Sequence, residues 1–132
     1  MKRAMREAGF AILAWLIPFV TALALSSLKA SQMALFDTLM GVVVAATAAV
    51  LGCLYLRPVQ NNTIGAGIRI GATWVIVNWL LDGLMFSGGP MKMTPGEYMT
   101  DIGLAYLAIP AVTIALGLSA ANAARHASAQ AN

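Results

Sequence analysis

Long apolar stretches separated by short polar ones set the pattern of this chain. Uncharged runs cover residues 8–28, 38–56 and 102–124, and each has about the 20 residues that an α-helix needs to cross roughly 30 Å of hydrocarbon. A fourth run, residues 70–86, reaches that length only if Asp82 lies within it. The pattern predicts an all-α membrane protein, a four-helix transmembrane bundle with helices at roughly 8–28, 33–56, 68–87 and 95–122.

Composition agrees with this prediction. The chain is 60% hydrophobic and only 10% charged, which leaves too few charged residues to cover a soluble globule. We therefore expect one transmembrane domain over residues 1–132, with a basic segment at 1–7 and a polar tail at 123–132. The first apolar run also fits a secretory signal peptide, but Leu28 stands where a cut after Ala30 would need a small residue. We interpret the run as a retained helix.

The distribution of basic residues predicts the topology, because cytoplasmic loops of membrane proteins carry an excess of Lys and Arg. Lys29 and Lys92 fall on one side of the predicted bundle, whereas six basic residues fall on the other: Lys2, Arg3, Arg6, Arg57, Arg69 and Arg125. Both termini and an inner loop at 57–69 are therefore expected in the cytoplasm, with the protein in the plasma membrane of a bacterium or archaeon. The net charge of +3 follows from this topology, and we expect no nucleic-acid binding.

Polar residues on the third predicted helix mark the candidate functional region. Trp74, Asn78 and Asp82 follow one another at four-residue spacing and share one face of the helix. A charged residue inside the bilayer costs at least about 2.5 kcal/mol, so Asp82 is expected to face the protein interior or a cavity. We predict that Asn78 donates a hydrogen bond to Asp82, one turn later on the same face.

Further acidic residues are predicted at the same membrane face. The fourth helix begins with the pattern of a capping box, Thr94 followed by Glu97, which gives Glu97 a structural role. Asp101 lies one turn further along, and Asp37 lies one turn into the second helix. The predicted ion- or substrate-binding site is therefore an extracytoplasmic carboxylate cluster with an amide and four supporting residues: Asp82, Asn78, Asp37 and Asp101, supported by Trp74, Tyr106, Pro18 and Pro110.

Small residues form stripes on two of the predicted helices. One stripe lies on the fourth helix between Gly103 and Ala121, and the other lies on the second helix at Gly41, Ala45, Ala48 and Gly52. Such stripes let membrane helices approach closely, and together they exceed what one bundle needs, so a homodimer or a larger membrane complex is expected. Gly67 and Gly71 on the third helix are predicted to make another contact of this kind.

Two prolines are predicted to kink the first and fourth helices, because proline removes a backbone hydrogen bond. Pro18 and Pro110 each follow an isoleucine and precede valine and threonine at the same spacing. This match fits the inverted repeats of transporters, and it also fits chance similarity between two segments rich in Ala, Leu and Val. The kinks would permit movement within the bundle.

The side chains available exclude several chemistries. His126 is the only histidine, so one chain cannot build a haem site with two histidines, a histidine-based zinc site or a Ser–His pair within the membrane. An enzyme and a bound cofactor are not expected. The leading hypothesis is a cation- or proton-linked transporter or ion pathway that uses Asp82. The alternatives are a non-catalytic accessory or structural membrane protein and a copper-handling protein that uses Met91 and Met93.

In size and four-helix layout the chain resembles the small multidrug-resistance transporters and the small fluoride channels. The first predicted helix, however, contains no acidic residue between 8 and 28, and the third carries no Thr/Phe channel signature. The resemblance therefore implies a shared architecture in a lipid bilayer and assigns no functional role to any residue.

Overall fold

Helices make up almost all of the structure, a computed structural model that describes residues 2–88 and 92–130. No strand occurs in these two ranges, and four helices are long and apolar enough to cross a membrane. The prediction of an all-α architecture with four such helices is therefore confirmed. The elements in chain order are α1 (Lys2–Ala24), α2 (Ser26–Ser31), α3 (Met33–Leu56), α4 (Thr63–Phe86), α5 (Pro95–Asp101), a 3₁₀ helix (Gly103–Leu107) and α6 (Ala108–Gln130).

The first helix differs from its predicted bounds at both ends. Apart from Met1, which lies outside the described residues, the predicted basic segment 1–7 is part of α1. The helix stops at Ala24, and a turn at Leu25 separates it from the short helix α2. Likewise, the predicted polar tail 123–132 continues α6 as a helix as far as Gln130.

The third predicted helix begins earlier than residue 68. Asn62 adopts a left-handed conformation with φ 52°, and its side-chain oxygen accepts a hydrogen bond of 3.0 Å from the backbone N–H of Gly65. Asparagine favours this capping position because its short side chain bonds the first free N–H groups of a helix. The prediction of an inner loop over 57–69 was therefore wrong, and Arg69 lies inside α4 rather than at its edge.

The fourth predicted helix is interrupted, so the prediction of a continuous helix over 95–122 was wrong. The α-helical conformation ends at Ile102, with φ −130° and ψ −49°, and a 3₁₀ helix follows before α6 begins. Pro110 is the third residue of α6, just after the 3₁₀ helix. Proline is tolerated better in the first turn of a helix than in its interior. Pro18, in contrast, lies deep inside α1. Whether the two proline segments form an inverted repeat stays a prediction.

The capping box at the start of α5 is confirmed. The Thr94 hydroxyl accepts the backbone N–H of Glu97 at 3.3 Å, and the Glu97 carboxylate accepts the backbone N–H of Thr94 at 2.9 Å. These hydrogen bonds from Thr94 lower the pKa of the Glu97 carboxyl group, because they favour its ionised form. Glu97 is exposed and caps the N-terminus of α5.

Helices α4 and α6 pack closely through small residues, as the glycine spacing on α4 predicts. A Cβ atom at Gly71 would lie 2.8 Å from Pro110 Cα, and one at Gly117 would lie 2.6 Å from the Thr63 carbonyl oxygen. The Thr63 hydroxyl donates a hydrogen bond of 2.9 Å to the carbonyl oxygen of Gly117. The stripe on α6 is thus filled by α4 of the same chain, which weakens the argument for a dimer.

The two ends of the bundle carry different groups. At one end, called the terminal end, Arg6 near the chain's start donates a 2.7 Å hydrogen bond to the carbonyl of Tyr55 at the end of α3. The contact of Thr63 with Gly117 brings the start of α4 and the second half of α6 to this same end. The opposite end, called the acidic end, contains α2, the start of α3, the end of α4 and α5.

Candidate functional site: an acidic cavity beside Asp82

A cavity of about 190 Å³ opens at the acidic end of the bundle. Four charged residues line it: Lys29, Asp37, Asp82 and Asp101. The lining therefore carries a net charge of −2 when all four groups are ionised. Apart from Ser26, the remaining wall is apolar or aromatic and consists of Pro18, Phe19, Ala22, Leu23, Phe36, Met40, Val44, Phe86, Ile102, Ala105 and Tyr106.

Asp82 is the most deeply buried of these charged residues, with 2% of its surface exposed. One carboxylate oxygen accepts the indole N–H of Trp15 at 2.7 Å, and the other accepts the hydroxyl of Tyr98 at 2.8 Å. Burial and the bond to Asp82 raise the pKa of the Tyr98 hydroxyl well above its usual range, so it stays protonated and remains a donor. Both donors are neutral, and in the described parts of the chain no Lys or Arg forms an ion pair with Asp82.

Asn78 does not bond to Asp82 as predicted. Its side-chain N–H₂ group donates instead to the backbone carbonyl of Trp74 at 2.7 Å, while its side-chain oxygen has no partner among residues 2–88 and 92–130. The physical reason is the direction of side chains on a helix, which tilt towards the N-terminus. Asn78 therefore reaches back towards Trp74 and not forward to Asp82.

The two other predicted acids, Asp37 and Asp101, line the same cavity as Asp82. Lys29 lies 3.9 Å from Asp101, with both side chains partly exposed, so this ion pair is weak. Asp37 is exposed at the start of α3 and lines the same cavity. Asp37, Asp82 and Asp101 thus line one cavity. Whether they bind an ion or substrate stays a prediction.

The supporting residues divide into two groups. Pro18 and Tyr106 are buried and line the cavity. Trp74 lies in the core with its ring stacked on Phe10 at 6.2 Å, and Pro110 lies against α4 away from the cavity. Trp74 and Pro110 therefore do not belong to the cavity wall.

Sequence reasoning missed the donors to Asp82. Trp15 and Tyr98 lie 67 and 16 residues from Asp82 along the chain. Their signal was a polar atom on an aromatic ring within apolar surroundings, since such groups usually find a partner when buried. The sequence therefore indicates that each of these groups needs a hydrogen-bond partner. It does not identify the partner, because that depends on how α1 and α5 lie relative to α4.

A second polar cluster at the terminal end was also missed. Glu7 on α1 accepts hydrogen bonds from Arg69 at 3.2 Å, from Tyr55 at 3.3 Å and from Thr73 at 3.1 Å. Glu7 has only 13% of its side chain exposed. The polar contacts of α1 with α4 therefore lie at both ends of the interface, Glu7 at the terminal end and Trp15 at the acidic end.

Beside this cluster lies a wider depression of about 400 Å³ with a basic lining. Arg3, Arg6 and Arg69 contribute to its wall, together with polar residues of the connection between α3 and α4. The terminal end is therefore positively charged, in contrast to the acidic end.

The structure also bears on metal ligands of the His, Cys, Asp and Glu types. Within residues 2–88 and 92–130, no three His, Cys, Asp or Glu side chains lie close enough together to hold a metal ion. Met91, part of the predicted copper site, lies outside the described residues, while Met93 is half-buried beside the end of α4. The carboxylates around the cavity are separate groups and not a preformed ligand set.

No known protein family, curated protein or solved structure matches this chain. The fold and the cavity therefore define its class on their own. It is an all-helical protein with four helices suited to a membrane and a charged cavity at one end of the bundle.

Proposed function

We propose that this protein is a small integral membrane transporter or ion pathway in which Asp82 binds a cation or proton. The observation that carries the proposal is a carboxylate with 2% exposure that lines a cavity and that, within the described residues, accepts hydrogen bonds from neutral donors and forms no ion pair. Such residues within membrane helices are costly and mark ion and proton pathways. A carboxylate kept without a permanent counter-ion can exchange one cation or proton for another.

The distribution of charge supports an orientation for this pathway. Arg3, Arg6 and Arg69 line the depression at the terminal end, whereas Lys29 is the basic residue that lines the acidic cavity. The excess of basic residues on cytoplasmic loops then puts both termini inside a bacterial or archaeal cell. The cavity with Asp82 faces the outside, so it would take up its ion from the extracytoplasmic side.

Replacing Asp82 with asparagine tests the proposal. Purified protein is reconstituted into liposomes that contain a pH-sensitive dye, and proton flux is followed after a pH gradient and a potassium diffusion potential are imposed; Na⁺ and K⁺ gradients are tested in the same way. We expect wild-type protein to carry the flux of one of these ions and Asp82→Asn to reduce it at least about tenfold, because asparagine cannot exchange a proton or balance a cation.

The asparagine variant is chosen because it preserves the shape of the site. Its carbonyl oxygen can still accept the Trp15 indole, and the Tyr98 hydroxyl can rotate to accept from the new amide. Glu97→Gln, at the exposed start of α5 and outside the cavity lining, is the matched control with the same change of charge. Equal flux through Asp82→Asn and wild-type protein would contradict the proposal.

A second function is favoured by the same two hydrogen bonds. Trp15 and Tyr98 tie α1 and α5 to α4 through Asp82, which is what an accessory membrane protein would need to hold its helices in place. On this alternative, Asp82→Asn lowers the melting temperature in detergent and no ion flux above that of empty liposomes is seen with either protein. The predicted homodimer is a separate proposal, checked by the mass of the protein in detergent.

A further inference from the structure

Two buried polar atoms lie between Asp82 and the Glu7 cluster without a partner among the residues that the structure describes. They are the indole nitrogen of Trp74 and the side-chain oxygen of Asn78, and both residues have 0% of their surface exposed. They lie one turn apart on α4, about 6 Å along the helix axis. Buried polar groups in proteins are nearly always bonded to protein or to internal water, and here one is a donor and the other an acceptor.

Helix α1 adds a third group to the same interface. Pro18 has no N–H, so the carbonyl of Ala14, a residue with 2% exposure, lacks its α-helical donor. Ala14 lies between Glu7 and Pro18 on the part of α1 that contacts α4 through Glu7 and Trp15. Ala11, fully buried one turn earlier, is also small. The interface therefore combines free hydrogen-bonding groups with short side chains.

We propose that internal water bridges Trp74 and Asn78 and, with the Ala14 carbonyl, forms a proton path that joins Asp82 to Glu7. This inference rests on the proposed function and names the proton as its ion. The acidic cavity ends at Asp82, because neither Asn78 nor Trp74 lines it. A metal cation would stop at that point, whereas a proton passes along a chain of hydrogen bonds.

The transfer leaves the protein unchanged. Asp82 takes a proton from the cavity on a carboxylate oxygen and gives it to the adjacent internal water. Each water accepts one proton and donates another, until Glu7 receives one and releases it at the terminal end. Thr73 and Tyr55 donate hydrogen bonds to Glu7, and Arg69 provides its counter-charge. One proton crosses per cycle, and Asp82 and Glu7 return to their ionised forms.

The internal water is tested directly on the wild-type protein. Trp15, Trp74 and Trp79 give three indole N–H signals in ¹⁵N-labelled protein in detergent, assigned by single Trp→Phe variants. Trp15 and Trp79 donate to Asp82 and to the carbonyl of Gly103, whereas the Trp74 indole has no partner in the described chain. We expect a water cross-peak at Trp74 that disappears in Asn78→Leu, while the Trp79 signal does not change. A Trp74 indole without contact to water would overturn the proposal.

Flux measurements separate failure of the path from failure of the proposed function. Asn78→Leu is expected to reduce proton flux at least about tenfold, because leucine cannot bond to the bridging water. Asn78→Ser, which keeps a hydrogen-bonding group, is expected to retain more flux. The melting temperatures of both variants in detergent show that they fold. Ile76→Leu on the exposed face of α4 is the control. If Asp82→Asn loses flux but Asn78→Leu does not, the path is wrong and the proposed function stands. If wild-type protein carries Na⁺ or K⁺ but no proton, the path is wrong and the proposed function stands. If it carries none of these ions, both are wrong.

Discussion

Replacing Gly71 with leucine is expected to prevent α4 and α6 from packing and to destabilise the folded bundle severely. Even a single Cβ atom at this position would lie 2.8 Å from Pro110 Cα and 3.1 Å from its Cβ. These atoms belong to the start of a helix and to a rigid ring, so they cannot move aside as a flexible side chain would. Overpacking a core costs about 1–3 kcal/mol when side chains can adjust, and we expect at least the upper end of that range here.

The matched control for this prediction is Gly83→Leu. Gly83 lies on the same helix, and a Cβ atom there would meet nothing within 4 Å. The same substitution is therefore expected to leave stability unchanged or to raise it, since glycine is unfavourable within a helix by about 0.5–1 kcal/mol. The prediction is tested by measuring the melting temperatures of both variants in the same detergent. Similar values for the two variants would show that α4 and α6 do not pack as described.

Replacing Glu7 with alanine is expected to have the second-largest effect on stability. Arg69, Tyr55 and Thr73 all donate to this carboxylate, which has 13% of its side chain exposed. Hydrogen bonds to a charged group contribute about 1.5–3 kcal/mol each when buried, but Arg69 is 38% exposed, so water replaces part of its bond. We expect a net loss of about 2–3 kcal/mol, which is close to the value of one such bond.

The comparison variant is Glu97→Ala, which removes the same side chain from an exposed cap. Loss of a helix cap costs about 1 kcal/mol, so this variant is expected to be the more stable of the two. Unfolding both proteins by adding sodium dodecyl sulfate to detergent micelles gives the free energy of unfolding. A loss at Glu7 no larger than that at Glu97 would contradict the view that Glu7 holds α1 to α4.

Hydropathy predicted the four long helices because each must satisfy the same requirement of length and apolar composition. Their ends depended on local chemistry that hydropathy does not measure. The Asn62 cap lengthens α4 by several residues at its start, and the restart of the helix near Pro110 divides the fourth predicted helix. The pattern around Thr94 was predicted correctly, because a capping box depends on residues three apart in the sequence.

The acidic site was predicted in part for a similar reason. Asp82 was predicted as a site residue because a carboxylate among apolar residues is costly wherever it lies. The predicted topology put Asp37 and Asp101 at the same end of the bundle. The partner of Asp82 was predicted wrongly because only residues on the same helix were considered. Trp15 approaches from α1, and a contact across 67 residues is determined by the packing of whole helices.

The contacts of α1 with α4 have a consequence for biogenesis. Helix α4 contains Arg69, Asn78 and Asp82 and has the lowest hydropathy of the four long helices, 1.4. Glu7 and Trp15 on α1, which bind two of these groups, leave the ribosome before α4 does. On the proposed membrane location, α1 enters the bilayer before α4 and offers partners for its charged groups, so we expect α4 to depend on α1 for its insertion. In a chain that lacks α1, we therefore expect α4 to fail to insert and the protein to be degraded by quality-control proteases.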